Sequence, residues 1–184
     1  MSNVLMHVAA VAVDQTNSTP IVILRDEDDR FAIPIWIGLL EASAIQIELQ
    51  HVSLPRPMTH DLLRIAIEQL GSRVVSVEIC ELRDETFFAR IKLEQNGREV
   101  SLDARPSDAI ALAIRCDAAI FVDLAVAETA HRPELLDRLN KESSTKTSDT
   151  VRARSDGESS DSPDAALKEI VEQLEAGLDP KLKA

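Results

Sequence analysis

Aromatic side chains are almost missing from this chain. It has no tyrosine, four phenylalanines and a single tryptophan, Trp36. The core must therefore be aliphatic, and the sequence offers no obvious stacking platforms for a single nucleic-acid strand. Cysteine is equally scarce. Cys80 and Cys116 stand in apolar stretches without metal-type spacing, so they read as reduced core residues of a cytoplasmic protein and not as ligands or nucleophiles. No apolar run approaches the ~18–20 residues of a membrane span. The N-terminus has no basic region and its apolar run is broken by His7 and Asp14, which argues against a signal peptide. Five glycines supply no glycine-rich phosphate loop and no Gly-x-Ser-x-Gly elbow. Positive charge is short as well: residues 1–130 carry 11 Lys+Arg against 20 Asp+Glu, net −9 of a total of −12. Acidity thus belongs to the folded part, which repels a polyanion within about a Debye length, ~8–10 Å. Any nucleic-acid function has to be carried locally, by Arg side chains or bound cations.

What is present is enough for one domain. Of 184 residues, 45% are hydrophobic, sufficient for a real core plus appendages. Val4–Val13, Ile21–Leu24 and Phe31–Ile37 read as strands, Pro34 marking the last as an edge. The adjacent acids from Asp26 to Asp29 read as a solvated hairpin tip. Leu39–Leu49 has helical spacing, with Leu40, Ala44, Ile45, Ile47 and Leu49 as its apolar stripe and Glu41 in its first turn. A second helix runs from an N-cap at Thr59, buries Leu62, Leu63, Ala66, Ile67 and Leu70, and closes at Gly71. Val74–Leu82, Phe87–Leu93 and Glu99–Ala104 alternate as an antiparallel meander, with Asn96-Gly97 as a tight turn. A nearly all-apolar helix with Ser107 as its N-cap, a short strand over Ala118–Val122 and a helix over Asp123–Ala130 complete the domain.

Residues 131–141 suggest a short helical extension. Residues 142–162 are rich in Ser, Thr, Asp and Glu and read as a disordered linker. Residues 163–178 carry an amphipathic stripe of Leu167, Ile170, Val171, Leu174 and Leu178, a helix expected to dock on this domain, on a second subunit or on a partner. The fold class is α+β: one compact domain over residues 1–130, a mixed sheet with an antiparallel meander and helices packed on it.

Two helix mouths concentrate the polar chemistry. Arg56-Pro-Met-Thr-His-Asp61 and Asp103-Ala-Arg-Pro-Ser-Asp108 each place an Arg-Pro pair and a hydroxyl residue just before a first-turn Asp. Helix-start amides and Arg forks both suit phosphate. Thr59, Ser107 and Asp103 join Arg56 and Arg105 as candidate substrate-binding residues. His60, Asp61, Asp108 and Glu41 are the candidate catalytic groups, His60 as a base near neutral pH. Asp61 and Asp108 supply hard oxygen ligands for a divalent ion, Mg²⁺ or Mn²⁺. Arg105 can instead be spent on a structural pair with Asp103 or Asp61.

Ile33-Pro-Ile-Trp-Ile-Gly38 with Glu41-Ala42, Arg56-Pro-Met-Thr-His-Asp-Leu62, Thr86-Phe-Phe-Ala89 and Asp103-Ala-Arg-Pro-Ser-Asp-Ala-Ile-Ala-Leu112 occur in this order. Together they resemble the bifunctional nuclease domain family over about residues 1–130. The resemblance implies a compact α+β domain, a homo-oligomer and nuclease activity on DNA and RNA. Its polar motif positions here are Glu41, Arg56, Thr59, His60, Asp61, Asp103, Arg105, Ser107 and Asp108. The chain departs from the pattern at Gln50-His51, where glycine is common, and at Phe88, where tyrosine is frequent. The C-terminal helix lacks the helical-hairpin pattern that some relatives share with nucleotide-excision repair proteins.

Two functions follow as expectations. One is a divalent-metal-assisted nuclease acting on nucleic acid at the paired mouths. The other is a non-catalytic oligomeric binding or regulatory module whose Arg/Asp pairs are architecture. An open cleft at these side chains favours the first; mutual salt bridges at full burial with no pocket favour the second.

Overall fold

A computed structural model describes residues 2–14, 18–137, 165 and 168–172. The elements follow the sequence periodicities closely. They are β1 (Asn3–Asp14), β2 (Thr19–Asp26), β3 (Ala32–Trp36), α1 (Leu39–Leu49), α2 (Thr59–Gln69), β4 (Ser72–Arg83), β5 (Thr86–Gln95), β6 (Arg98–Ala104), α3 (Pro106–Cys116), β7 (Ala119–Asp123) and α4 (Leu124–Ala130). The strands form one seven-stranded sheet in the order β3-β2-β1-β7-β4-β5-β6. All neighbours are antiparallel except β4 and β7, so the sheet is mixed and the α+β expectation holds.

The edge positions have local causes. Pro34 pairs with Ile23 on β3, an outer strand, where its missing N–H costs no ladder bond. Asn96 and Gly97 take φ of 51° and 74° between β5 and β6, as a tight hairpin turn requires. His51 takes φ 54° after α1, the left-handed conformation that glycine favours and the reason that glycine suits this point.

One face of the sheet holds the main core. Val77, Ile79, Ala89, Ile91, Ile120 and Val122 are in register across β4, β5 and β7 and nearly inaccessible. Helix α3 packs on β4 and β5 and touches both α1 and α2. Ala109 to Ala113 are fully buried, because neighbours stand on every side of the helix. Ile170, in the helical stretch 168–172, is buried in the same core cluster, so that part of the C-terminal helix docks on this domain. The 131–141 extension is helical at 133–137, and Leu135 and Leu136 pack against Ile21, Ile23 and Ala32. The linker at 142–162 lies outside the described residues. No described helix is long and apolar enough to cross a membrane.

Two apolar faces differ from expectation. Leu40 is 82% exposed, because it sits in the first turn of α1 on the side away from Ala42, Ile45 and the sheet. On α2 only Ile67 is buried; Leu62, Leu63, Ala66 and Leu70 face outward. The inward stripe is His60, Asp61, Arg64 and Ile67, which share one face at helical spacing. In this orientation His60 contacts Asp108 and Asp61 pairs with Arg115, and the leucines are left outside.

Candidate active site

Three helix starts converge, one more than the sequence suggests. Glu41 is in the first turn of α1, His60 in that of α2 and Asp108 in that of α3. The N-cap of α3 is Arg105, with Pro106 as the first helical residue, not Ser107. Extended by the following proline, Arg105 points its guanidinium back along its own helix mouth. Its Nε donates to Asp108 Oδ2 at 2.7 Å and its Nη2 to Asp108 Oδ1 at 3.1 Å. Its Nη1 lies 2.9 Å from Glu41 Oε1. The pairs expected with Asp103 or Asp61 are not formed. Asp103 is exposed on β6 opposite Arg90, and Asp61 has another partner.

Glu41 reaches Arg105 because α1 begins at Gly38. The carboxylate folds back over this glycine so closely that a Cβ there would collide with Glu41 Oε2. Asp108 also takes His60, whose Nε2 is 3.2 Å from Oδ1. Burial alone would raise the Asp108 pKa, but the hydrogen bonds from Arg105 and His60 outweigh it and hold the carboxyl below its ordinary value. Asp108 is thus ionised at neutral pH and only accepts. His60 faces it through Nε2. The bidentate bond to Asp108, with Glu41 behind it, raises the already high pKa of Arg105.

Arg105 is nonetheless 65% exposed. It lines a cleft of about 480 Å³ with Glu41, Ser107, Gly38, Trp36 and Thr86. Three of its five N–H donors are engaged, which leaves two for a ligand. His60 and Asp108 are not on the cleft wall; they brace Arg105 from behind. Ser107 is buried at the second helical position.

Asp61 serves elsewhere. The N-cap of α2 is Met58 and not Thr59, so Asp61 is the third helical residue. Its Oδ2 accepts from the Met58 amide at 2.8 Å, the reach-back half of a capping box. Its Oδ1 takes Arg115 Nε at 2.7 Å. Arg115 is only 2% exposed and was not among the candidates from the sequence. It also donates to Ala111 O at 2.8 Å and Ala44 O at 2.9 Å. One guanidinium therefore joins α1, α2 and α3. The available signal was a lone cation closing a helix that is otherwise apolar. Arg56 lines a second pocket, of about 250 Å³, with Asp61, Arg64 and Arg115.

The expected sharing of a divalent ion by Asp61 and Asp108 does not match this arrangement, since Arg115 holds one and Arg105 with His60 the other. Among the described residues, no group of three or more His, Cys, Asp or Glu stands close enough to hold a metal. Glu41 and Asp108 meet only through Arg105. Cys80 and Cys116 are free, and burial pushes both thiols up, away from thiolate chemistry.

The Asp61 and Asp108 pairs predict an acid limit to stability. Burial would raise Asp61 too, but the Met58 amide and Arg115 bring it below 3.8. A carboxyl lowered in the folded state stabilises above its unfolded pKa, and that contribution is lost as pH falls through the folded value. The thermal midpoint should stay level from neutral pH to about 5, then drop as pH passes below about 4. Asp61→Asn should flatten part of that drop; an unchanged profile in the variant would discount the pair.

Residues 22–134 match the family model described as the bifunctional nuclease domain. The chain is 40% identical over 121 residues to the uncharacterized protein Rv1829 of Mycobacterium tuberculosis, covering 66% of this chain and 72% of that protein. It is 29% identical over 110 residues to Bifunctional nuclease 1 of Oryza sativa subsp. japonica, covering 58% of this chain and 33% of the rice protein. Bifunctional nuclease 1 of Arabidopsis thaliana is 29% identical over 108 residues, 56% of this chain and 33% of its own length.

Proposed function

The chain belongs to the bifunctional nuclease domain family, and from that premise we propose that it hydrolyses phosphodiester bonds of nucleic acid in the cleft at the three helix starts. The observation that carries the reading is Arg105. It is braced by Asp108 and Glu41 yet open to a cleft, with donors left over. A guanidinium that was only architecture would be buried, as that of Arg115 is at 2% exposure.

In the proposed mechanism Arg105 binds the scissile phosphate through its two remaining N–H groups and offsets charge developing on the non-bridging oxygens. Glu41, on the same wall, orients a water molecule and accepts its proton as the water oxygen bonds to phosphorus and the P–O bond to the leaving nucleoside breaks, the departing oxygen taking a proton from solvent. Asp108 keeps the guanidinium plane in place, and His60 keeps Asp108 in place, so both are positioning residues. A divalent ion enters the proposal through the substrate. Mg²⁺ is commonly held by one or two carboxylates plus phosphate; Glu41, on the cleft wall, would supply one, and the ion would add further charge neutralisation. Cleavage assayed with and without a chelator tests that part.

The central test is cleavage of labelled single- and double-stranded DNA and RNA by the full chain and by Arg105→Ala. Loss of one phosphate-directed donor should lower kcat/KM by about 10²–10³-fold. Folding should be little affected, because an exposed ion pair contributes at most about 1 kcal/mol. Wild-type cleavage in Arg105→Ala would remove the site from the cleft. Absence of cleavage by the wild type on every substrate would favour the binding-module reading.

A further inference from the structure

We propose that Trp36 stacks on a base of the bound strand, so that the cleft takes single-stranded nucleic acid and not a duplex. The inference rests on the reading of the cleft as the nuclease site. Trp36 is the only tryptophan of the chain and is 46% exposed, unusual for the largest apolar side chain. It is the last residue of β3, and its ring lies on the cleft wall with Glu41 and Arg105. Its Nε1 donates to Asp14 Oδ2 at 3.0 Å. The ring is therefore held by one edge before any ligand arrives, which reduces the ordering cost of stacking.

Size and charge both point to a single strand. A cleft of about 480 Å³ is in the range of sites for ligands of nucleotide size, ~300–1,000 Å³, and does not enclose a duplex. Duplex binding draws on many cationic contacts to phosphate. Among the described lining residues Arg105 is the only Lys or Arg, and Glu41 and Glu85 share the wall with it. With one cation available, affinity has to come from the π-face of a base, which stacking supplies without regard to sequence. Phosphate on Arg105 and base on Trp36 is the division of labour that these side chains allow.

The sole tryptophan is also its own reporter. The test uses the full chain carrying Glu41→Gln, to suppress cleavage, titrated with short oligodeoxythymidine, with oligouridine and with a blunt duplex. Both single strands should quench the intrinsic fluorescence and the duplex should not; the two single-strand arms separate DNA from RNA preference. Anisotropy of a labelled single strand should show affinity falling roughly 5–150-fold in Trp36→Ala, with most of it recovered in Trp36→Phe and an unchanged thermal midpoint. In the cleavage assay, Trp36→Ala in the otherwise native chain should raise KM with little change in kcat. Equal quenching by the duplex, no quenching at all, or wild-type affinity in Trp36→Ala overturns the proposal. Cleavage without quenching sinks the stacking alone, whereas quenching without cleavage sinks the nuclease reading and leaves a single-strand binding site.

Discussion

Arg115→Met should destabilise the domain by about 3–5 kcal/mol, the cost of breaking a buried pair by removing one partner. Arg115 is 2% exposed and bonded to Asp61 and to two backbone carbonyls on different helices. Methionine fills much of the volume but leaves the Asp61 carboxylate partly buried beside an apolar group, without its hydrogen bond from Arg115. Against a usual total of about 5–15 kcal/mol, the variant would stand near the threshold of unfolding. Urea unfolding followed by circular dichroism measures this directly. The double variant Arg115→Met, Asp61→Leu should recover a substantial part, because an apolar replacement of both partners leaves no orphaned charge. If the single variant loses less than about 1 kcal/mol, in the range of an exposed pair, Arg115 is not the joint of the three helices. Because neither Asp61 nor Arg115 lines the cleft, cleavage by the folded fraction should remain.

Glu41→Gln should have the opposite signature. The amide keeps the size of the side chain, and its oxygen still accepts from Arg105 Nη1. The charge that takes a proton from water is gone. General-base loss is expected to lower kcat by about 10²–10⁴-fold, with KM and the thermal midpoint little changed. A merely structural effect would instead lower the thermal midpoint together with kcat. An unchanged kcat would assign water activation to another group on the wall, with Glu41 reduced to holding Arg105 in place.

The two variants separate the polar residues that look alike in the sequence. Asp61 and Asp108 are both first-turn aspartates, each preceded by an Arg-Pro pair. In the structure one is engaged at a buried joint and the other braces an exposed guanidinium. The local difference is small: the Arg stands three residues before Asp108, where the pair forms, and five before Asp61. The long-range partners are 54 and 48 positions away, Arg115 for Asp61 and His60 for Asp108, and packing of α2 on α3 brings each to its carboxylate. Trp36 illustrates the same limit. It follows Ile33, Pro34 and Ile35 in an apolar strand, where the sequence shows no stacking platform, but it is 46% exposed on the cleft wall.

By itself the sequence determined the elements and their order. Period-two alternation placed the meander, Asn96-Gly97 its turn, Pro34 the edge strand, Gly71 the end of α2, and the unbroken apolar run of α3 its central burial. These signals are local: they depend on backbone preference and on the two periodicities of side-chain direction. The tertiary structure alone decided the rotation of α2, the third helix start with Glu41, the buried Arg115 joint and the exposure of Trp36. Each of these depends on free energy shared between residues far apart in the chain. Buried polar and charged groups demand partners more strongly than surface leucines demand cover. Where the two conflicted on α2, His60 and Asp61 turned inward to Asp108 and Arg115, and the leucines were left facing out.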